Sequence, residues 1–156
     1  MTITILPGNM THLEDCKEAL RNSKLGEVFF PTEDMEETFL SIGLSKGEMY
    51  VAMDDKLGCI GYIWFTLDGI FYKFPFLKNI VVKQQHRSKG IGKMLLAFYE
   101  DVTFKSTDKI FLTTSDFNLR AQKLYKEVGY VKVGEIPDLF KDGVAELLLM
   151  KVKNAK

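Results

Sequence analysis

Apolar residues at the start of the chain recur first with one period and then with another, which predicts a strand followed by a helix. Residues 2–6, TITIL, alternate between polar and apolar positions as a strand does, and Pro7 and Gly8 end the alternation. The helix has three apolar residues on one face: Leu13, Cys16 and Leu20. Thr11 and Glu14 have the spacing of a capping box, so we expect the helix to begin there.

A second helix is predicted from Pro31 and Thr32, which are typical of a helix start. Its apolar side consists of Met35, Phe39 and Ile42. Gly43 and Gly47 mark its end, because glycine is the residue most often found just after a helix.

Three strands follow this helix, separated by two turn-forming segments. The strands cover about residues 49–53, 59–67 and 72–83. The turns are Asp-Asp-Lys at residues 54–56 and Asp-Gly at residues 68–69. Strands joined by short turns lie side by side, so this part of the chain is predicted to form an antiparallel meander.

The second half of the chain alternates helices and strands. A third helix is predicted from five apolar residues at helical spacing: Ile91, Met94, Leu95, Phe98 and Val102. A short strand at residues 110–114 precedes a fourth helix, which ends at Gly129. That helix has four residues on its apolar face: Ala121, Leu124, Tyr125 and Val128. Two last strands, about residues 130–133 and 146–152, are joined by a hairpin turn at Asp142 and Gly143.

The order of elements, β-α-α-β-β-β-α-β-α-β-β, predicts the fold class. We expect an α/β (α+β) fold with a mixed, mostly antiparallel central sheet of about seven strands and helices on both faces. A length of 156 residues with 46% apolar residues suits one domain over residues 1–156 with a core of its own. No internal repeat or linker divides the sequence.

Charge and cysteine content exclude several classes of protein. Lys and Arg together number 21, as do Asp and Glu, and this balance argues against a nucleic-acid-binding protein. Cys16 and Cys59 lack the spacing of a zinc site or a disulfide framework, which predicts a reducing cytoplasm and no metal. The N-terminus does not resemble a signal peptide, and no apolar run reaches the roughly 18 residues of a membrane span, so we expect a soluble protein that does not bind membranes.

One stretch, QQHRSKGIGKML at residues 84–95, has the composition of a phosphate-binding loop. A Walker A loop is excluded because Arg87 and Met94 occupy two of its required positions. A dinucleotide fingerprint needs a third glycine where Leu95 stands. What remains is Arg87-x-x-Gly90-x-Gly92 between a strand and a helix, where backbone N–H groups and the helix dipole favour an anion. The alternative is a tight strand-to-helix turn with no ligand.

Two motifs together resemble the GNAT superfamily of acyl-CoA-dependent N-acyltransferases. The first is the glycine stretch, with the preceding NIVVKQQHR resembling that family's fourth strand and its approach to the pyrophosphate loop. The second is SDFNLRAQKLYKEVGY, which resembles the family's Asn-x-x-Ala-x-x-x-Tyr-x-x-x-Gly-Tyr/Phe segment. Its matching residues are Asn118, Ala121, Tyr125 and Gly129. The resemblance covers residues 72–130, and the element order extends it over most of the chain.

The resemblance implies that acetyl-CoA is the cosubstrate. Main-chain groups of residues 80–82 would pair with the pantetheine arm, residues 87–93 would hold the pyrophosphate, and Tyr125 would face the sulfur. The residues that it implies for cofactor binding are Ile80, Val81, Val82, Arg87, Ser88, Lys89, Gly90, Ile91, Gly92, Lys93, Asn118 and Tyr125. The spacing of Asn118 and Tyr125, two helical turns apart, agrees with one ligand touching both.

Tyr125 is the candidate catalytic residue, as the acid that protonates the departing thiolate. A phenol with a pKa of about 10 is a suitable acid for a thiolate with a pKa of about 8.5. The alternative is that Tyr125 only packs the apolar face of its helix. The family resemblance favours the catalytic role.

The general base is not assigned by the sequence. Many family members have a glutamate on the fourth or fifth strand, but residues 72–85 contain no carboxylate. The alternatives are water relayed through Thr113 or through backbone carbonyls, or one of four acids: Glu36, Glu37, Asp116 and Glu146. His86 is expected to be a solvated loop residue, His12 a surface residue in a helical first turn and Cys59 a strand-packing residue.

A cluster of acids at the start of the second helix has two interpretations. Its members are Glu33, Asp34, Glu36 and Glu37. They could attract a cationic amine, or they could simply be favoured by the helix dipole.

The function that we predict is transfer of an acetyl group from acetyl-CoA to a primary amine of a small molecule, directly within a ternary complex. The alternatives are a protein N-terminal or lysine acetyltransferase and a non-catalytic acyl-CoA-binding regulatory module. The predicted partners are acetyl-CoA and the amine, without nucleic acid or membrane. The identity of the amine and a homodimeric state are left open.

Overall fold

The computed structural model describes residues 2–154 and consists, within them, of seven strands and five helices. The strands are β1 Ile3–Pro7, β2 Met49–Asp54, β3 Gly58–Ile70, β4 Phe74–Val82, β5 Lys109–Ser115, β6 Val131–Lys141 and β7 Val144–Val152. The helices are α1 Leu13–Arg21, α2 Lys24–Phe29, α3 Glu33–Ser45, α4 Ile91–Thr103 and α5 Leu119–Glu127. Single 3₁₀ turns precede α1 and follow β4. The predicted order is confirmed, with α2 added.

The strands form one sheet in the order β1-β2-β3-β4-β5-β7-β6. Antiparallel pairs join β1 to β2, β2 to β3, β5 to β7 and β6 to β7, whereas β4 and β5 are parallel. A parallel pair needs a crossover between its strands, and α4 supplies it. The mixed, mostly antiparallel sheet of seven strands is therefore as predicted.

The chain divides into two compact units. The first comprises residues up to Phe65 together with Asn79–Phe98. Its core consists of apolar side chains from α1, α3 and strands β2 to β4: Cys16, Ala19, Leu20, Leu40, Leu44, Met49, Val51, Cys59, Tyr62, Trp64 and Val81. The second comprises Thr66–Lys78 and the residues from Tyr99 onward. Its buried side chains include Tyr99, Ile110, Leu112, Tyr125 and Tyr130.

Helix α3 buries a different face from the one predicted. Met35 and Ile42 are 44% and 47% exposed, whereas Glu36 is only 3% exposed. The pattern failed because Glu36 was counted as a surface residue, while the fold buries its carboxylate beside Arg21. Gly43 lies within the helix and not at its end. A glycine is needed there because a Cβ would come within 2.8 Å of the Trp64 ring.

Two predicted turn signals are placed differently in the fold. The capping box is formed by Asn9 and His12 around the 3₁₀ turn, and not by Thr11 and Glu14. The Asp-Gly pair at residues 68–69 lies within β3, and the chain turns later, at residues 71–73. A side chain at Gly69 would collide with Phe76 Cβ at 2.8 Å, so this glycine serves close packing. The hairpin turn at Asp142 and Gly143 is confirmed, with Gly143 at φ +84°.

Strand β6 is longer than predicted because its pairing with β7 resumes as far as Lys141 after register shifts between Lys132 and Gly134 and between Ile136 and Lys141. The register runs from Val131 opposite Met150 to Lys141 opposite Val144. No helix within residues 2–154 is long and apolar enough to span a membrane.

Candidate functional site

The end of β4 presents one edge of its backbone to β3. Lys83 N–H donates to Ile60 O at 2.8 Å, and a Cβ on Gly61 would meet Val81 O at 2.8 Å. Val81 is buried, while the side chains of Ile80 and Val82 are half-buried. A strand has two hydrogen-bonding edges, and on the edge that points away from β3 Val82 O accepts a hydrogen bond from the Arg87 guanidinium.

The loop between β4 and α4 has the backbone of an anion-binding turn. Ser88 and Gly90 have φ angles of +65° and +84°, and both are exposed, as is Lys89. A Cβ on Gly90 would meet no atom within 4 Å, so the space above it is open. The first helical bond runs from Met94 N–H to Gly90 O. The N–H groups of the preceding first turn have no acceptor within the helix, and they carry its positive dipole end.

Arg87 lies at the start of this loop, and its guanidinium binds protein carbonyls. Nε donates to Val82 O at 3.0 Å and Nη2 donates to Asn22 O at 2.7 Å. The side chain therefore joins the end of β4 to the residue that follows α1. In this arrangement Arg87 positions the loop.

Asn118 is the N-cap of α5, and its Oδ1 accepts a hydrogen bond from Ala121 N–H at 3.3 Å. The helix begins one residue later, at Leu119. The spacing of Asn118 and Tyr125 had suggested that both lie on the helix, but only Tyr125 does. The turn before the cap is held by Gln122 Nε2, which donates to Ser115 O and Asp116 O at 3.1 and 3.0 Å. This network fixes the direction in which α5 leaves the sheet.

Tyr125 is 5% exposed and packs edge-on against Tyr130, with ring centroids 5.9 Å apart. Burial raises the pKa of the Tyr125 hydroxyl, so it is protonated at neutral pH and can act only as a proton donor there. In residues 2–154, the fully buried side-chain N and O atoms without a hydrogen-bond partner are Thr66 Oγ1 and His86 Nδ1. The Tyr125 hydroxyl is not one of them.

Three of the four acids at the start of α3, the glutamates, are bound by cations of α1. Lys17 Nζ, which is buried, contacts Glu33 and Glu37 at 2.7 and 3.1 Å. Arg21 Nη2 contacts Glu36 at 3.1 Å. These glutamates therefore stabilise the packing of α1 against α3. Glu33 shows the effect in its pKa, which the hydrogen bond from Lys17 lowers.

The remaining acids suggested as a base are Asp116 and Glu146. Asp116 is exposed, and its Oδ2 accepts from Ala145 N–H at 3.1 Å. Glu146 is buried on β7 and accepts a hydrogen bond from Ser115 Oγ at 2.5 Å. Ser115 was not among the sequence candidates. The signal that marks the pair is the single carboxylate within the apolar strand VAELLLM.

Both histidines differ from expectation. His86 is buried, and not a solvated loop residue, with Nδ1 lacking a partner. His12 belongs to the 3₁₀ turn and accepts from Asn9 N–H through Nδ1 at 3.1 Å. Cys59 packs within its strand as expected, and both cysteines are free. No group of three or more metal-binding side chains occurs among residues 2–154.

Comparison with family models gives a match over residues 11–130 to the acetyltransferase (GNAT) family. This match covers more than three quarters of the chain and includes both motifs described above. The chain belongs to the acetyltransferase (GNAT) family. GNAT acetyltransferases use acetyl-CoA, so the chain is an acyltransferase with acetyl-CoA as cosubstrate.

Solved structures agree with the GNAT fold over nearly the whole chain. A GNAT acetyltransferase from Bacillus cereus is 18% identical, with a TM-score of 0.77 and 99% of each chain covered. The PaiA N-acetyltransferase from Thermoplasma acidophilum, solved with coenzyme A, is 21% identical, with a TM-score of 0.71 and coverage of 97% and 99%. The ribosomal-protein-S18-alanine N-acetyltransferase from Escherichia coli is 18% identical, with a TM-score of 0.75 and coverage of 99% and 97%. A comparison with curated protein sequences found no match.

Proposed function

We propose that this GNAT chain transfers the acetyl group of acetyl-CoA to a primary amine of a small molecule, by direct transfer in a ternary complex. The observation that supports the cofactor part of this proposal is the loop of residues 88–90. Its left-handed backbone, open space and position before α4 suit a pyrophosphate that approaches the main chain. We treat the two compact units as one acetyltransferase domain, since the family match runs through both.

In this proposal the pyrophosphate contacts residues 87–93 and the pantetheine arm pairs with the backbone of residues 80–82. The family resemblance adds Asn118 as a cofactor contact and Tyr125 as the residue facing the sulfur. The protonated Tyr125 hydroxyl can supply a proton to the thiolate, although the rise in its pKa on burial makes it a weaker acid than a solvated phenol. We place the reaction in the cytoplasm, because Cys16 and Cys59 are free thiols.

Cofactor binding is tested by thermal unfolding with and without CoA. Ligand at 100 times Kd adds about 2.7 kcal/mol of apparent stability. Gly90→Val should abolish the shift, because a side chain there strains the backbone and fills the space for phosphate. Gly47→Val is the matched control, since Gly47 also has a positive φ, +71°, with open space around it. A folded Gly90→Val protein that shifts as the wild type does would contradict the pyrophosphate assignment.

The reaction is tested by release of CoA thiol from acetyl-CoA with polyamines, amino acids, aminoglycosides and peptides as acceptors. We expect turnover with a small amine. Turnover with peptides alone would move the acceptor to protein N-termini or lysines. CoA binding without turnover on any amine would leave an acyl-CoA-binding module and overturn the enzymatic proposal.

The acid is tested by Tyr125→Phe, which removes the hydroxyl and keeps the ring. Loss of a general acid lowers the rate by about 10² to 10⁴, so kcat should fall while KM for acetyl-CoA is nearly unchanged. Tyr130→Phe is the matched control, because Tyr130 is also buried and contacts the same ring. Equal rates for Tyr125→Phe and wild type would leave Tyr125 a packing residue.

A further inference from the structure

Glu146 is a buried carboxylate whose burial is not compensated by a cation. It is 4% exposed and lies on β7 between Ser115 of β5 and Ile136 of β6. Its one hydrogen bond within residues 2–154 is donated by Ser115 Oγ to Oε2. Burying a carboxylate is costly unless charged or multiple donors replace water.

The two other buried carboxylates of the described chain have such donors. Glu36 binds the guanidinium of Arg21. Asp54 accepts two backbone N–H groups, from Lys56 and Leu57, at 2.8 and 2.9 Å. Glu146 alone relies on a hydroxyl, so the fold gains less from its charge than it does from the others. Uncompensated burial of an ionisable group is a feature of functional sites.

Glu146 lies at the end of β7 that is bonded to the residues preceding α5. Ser115 is the last residue of β5, and the next residue, Asp116, is bonded to the start of β7. Asp116 N–H donates to Ala145 O at 2.9 Å, and Ala145 N–H donates back to Asp116 Oδ2. Glu146 therefore lies at the end of the sheet where the chain turns through Asn118 into the helix that carries Tyr125.

The second carboxyl oxygen of Glu146 remains available. A carboxylate has about four lone-pair positions on its two oxygens, and Ser115 uses one of them. Within residues 2–154, Oε1 accepts no hydrogen bond, and it is not one of the two fully buried atoms without a partner. Oε1 is therefore the oxygen left for an incoming donor while Oε2 accepts from Ser115.

We propose that Glu146 is the general base of the acetyl transfer, with Oε1 taking a proton from the ammonium group of the acceptor; this role rests on the proposed function. It would supply the base that β4 and β5 lack, from the neighbouring strand β7. The geometry of the Ser115 hydrogen bond holds the carboxylate in one rotamer for this task.

One N–H bond of the ammonium breaks and its proton joins Oε1, which leaves a neutral amine with a free lone pair. Nitrogen bonds to the thioester carbonyl carbon and the C–S bond then breaks. Tyr125 protonates the thiolate and recovers a proton, through water, from the nitrogen. Glu146 releases its proton to solvent, so the products are the amide, the CoA thiol and one proton.

The electrostatic surroundings of Glu146 favour this role. Burial raises its pKa, the Ser115 hydrogen bond opposes that rise, and the negative charge of Asp116 adds to it. Its register neighbours Ser115 and Ile136 are uncharged. A raised pKa makes the carboxylate a stronger base than a solvent-exposed glutamate.

Glu146→Gln tests the proposal, because the amide oxygen can still accept from Ser115 but cannot take a proton. With an acceptor from the amine screen, kcat/KM for that amine should fall by about 10² or more at pH 7. The loss should shrink as the pH approaches the pKa of the amine, where free amine is already present. The thermal shift with CoA should be unchanged. Glu135→Gln on β6, whose carboxylate pairs with Lys132 at the surface, is the matched control and should leave the rate unchanged.

A Glu146→Gln rate within about twofold of wild type, with the same pH profile, would overturn the base assignment and leave the proposed function standing. A wild type that binds CoA but acetylates no amine would overturn both. If Glu146→Gln does not fold, Glu146→Asp decides, since it keeps a carboxylate but shortens its reach. For Glu146→Asp we expect a lower kcat, with the rate still rising with pH as the carboxyl group loses its proton. A change in stability without a change in rate would mean that Glu146 has a structural role.

Discussion

The acids at the start of α3 and the single acid of β7 differ in what surrounds them. Glu36 is buried, and the guanidinium of Arg21 compensates its charge. Glu146 is buried to a similar extent, and within residues 2–154 its side chain accepts a hydrogen bond only from the Ser115 hydroxyl. The cluster of acids thus stabilises a helix pair, whereas the isolated acid in an apolar strand has no cation beside it within residues 2–154 and is the one that we propose as the base. Chemistry is better predicted from the partners of a carboxylate than from how many carboxylates lie together.

The largest effect on stability should follow from removing the one donor to Glu146. Ser115→Ala leaves the buried carboxylate without a hydrogen bond, and bonds to charged groups contribute about 1.5 to 3 kcal/mol. Because this bond lowers the pKa of Glu146, the variant should also move the rise of kcat/KM to higher pH. Denaturant unfolding of Ser115→Ala, Glu146→Gln and the double variant measures the coupling. Strictly additive changes would mean that the two side chains do not interact.

Removing the cation that binds Glu36 should leave Glu36, like Glu146, as a buried carboxylate without a cation partner. Arg21→Met keeps the aliphatic contacts and leaves a buried carboxylate unpaired. Breaking a buried pair costs about 3 to 5 kcal/mol, but Arg21 is half-exposed and solvent screens it, so we expect about 1 to 2 kcal/mol. Arg21→Met combined with Glu36→Gln should recover part of the loss. No recovery would show that Glu36 does not depend on Arg21.

Glu146→Gln should change stability less than these variants do, and in the opposite direction: its free energy of unfolding should increase. The folded pKa of Glu146 is raised, so its ionisation opposes folding, and stability is lost as pH rises from the unfolded pKa through the folded one. The neutral amide lacks this loss. Glu146→Gln should therefore be more stable than wild type at pH 7.5 and equal to it near pH 4. Urea unfolding at both pH values measures the difference, and a variant less stable at pH 7.5 would contradict the raised pKa.

The smallest effect concerns the exposed acids around Lys17. The ammonium of Lys17 lowers the pKa of Glu33, so this pair stabilises the fold above the unfolded pKa of Glu33 and is lost as pH falls through the folded one. Lys17→Met should return the pKa of Glu33 towards its ordinary value, which carboxyl NMR titration reports. An unchanged pKa would mean that Lys17 is not the cause of the lowering.

Local pattern was enough to predict the long periodic elements. Helices α1, α4 and α5 and the final hairpin follow from apolar spacing and turn residues close to them in sequence. Helix α2 was missed because it has six residues and little periodicity. Its start depends on Ser23, which accepts from Gly26 N–H, and on the absence of a side chain at Gly26, where a Cβ would collide with Leu20 O. Such close contacts are not expressed in a pattern of hydrophobic residues.

The candidate site likewise has parts that the sequence predicted and parts that it did not. The loop at Gly90 and the start of α5 were predicted, because their residues are adjacent in the sequence. The bond between Ser115 and Glu146 joins residues 31 positions apart, and only the register of β5 with β7 brings them together. The neutralisation of Glu36 by Arg21 likewise depends on how α1 packs against α3. Pairing across the fold decided which of the possible acids are bound by a cation: Glu36 and Glu37 are, through Arg21 and Lys17.

The two carbonyl contacts of Arg87 make the glycine loop and the end of α1 one mechanical element. Arg87 Nη2 donates to the carbonyl of Asn22, the residue that follows α1, and Nε donates to Val82 O, while Lys83 binds Asp15 in the first turn of α1 at 2.7 Å. Neither the loop nor the last turn of α1 can open without breaking bonds to the other. Amide hydrogen exchange in the two segments should therefore follow a common opening event. A ligand that reduces the opening of the loop would therefore also slow amide hydrogen exchange at the end of α1, even though the ligand does not contact α1.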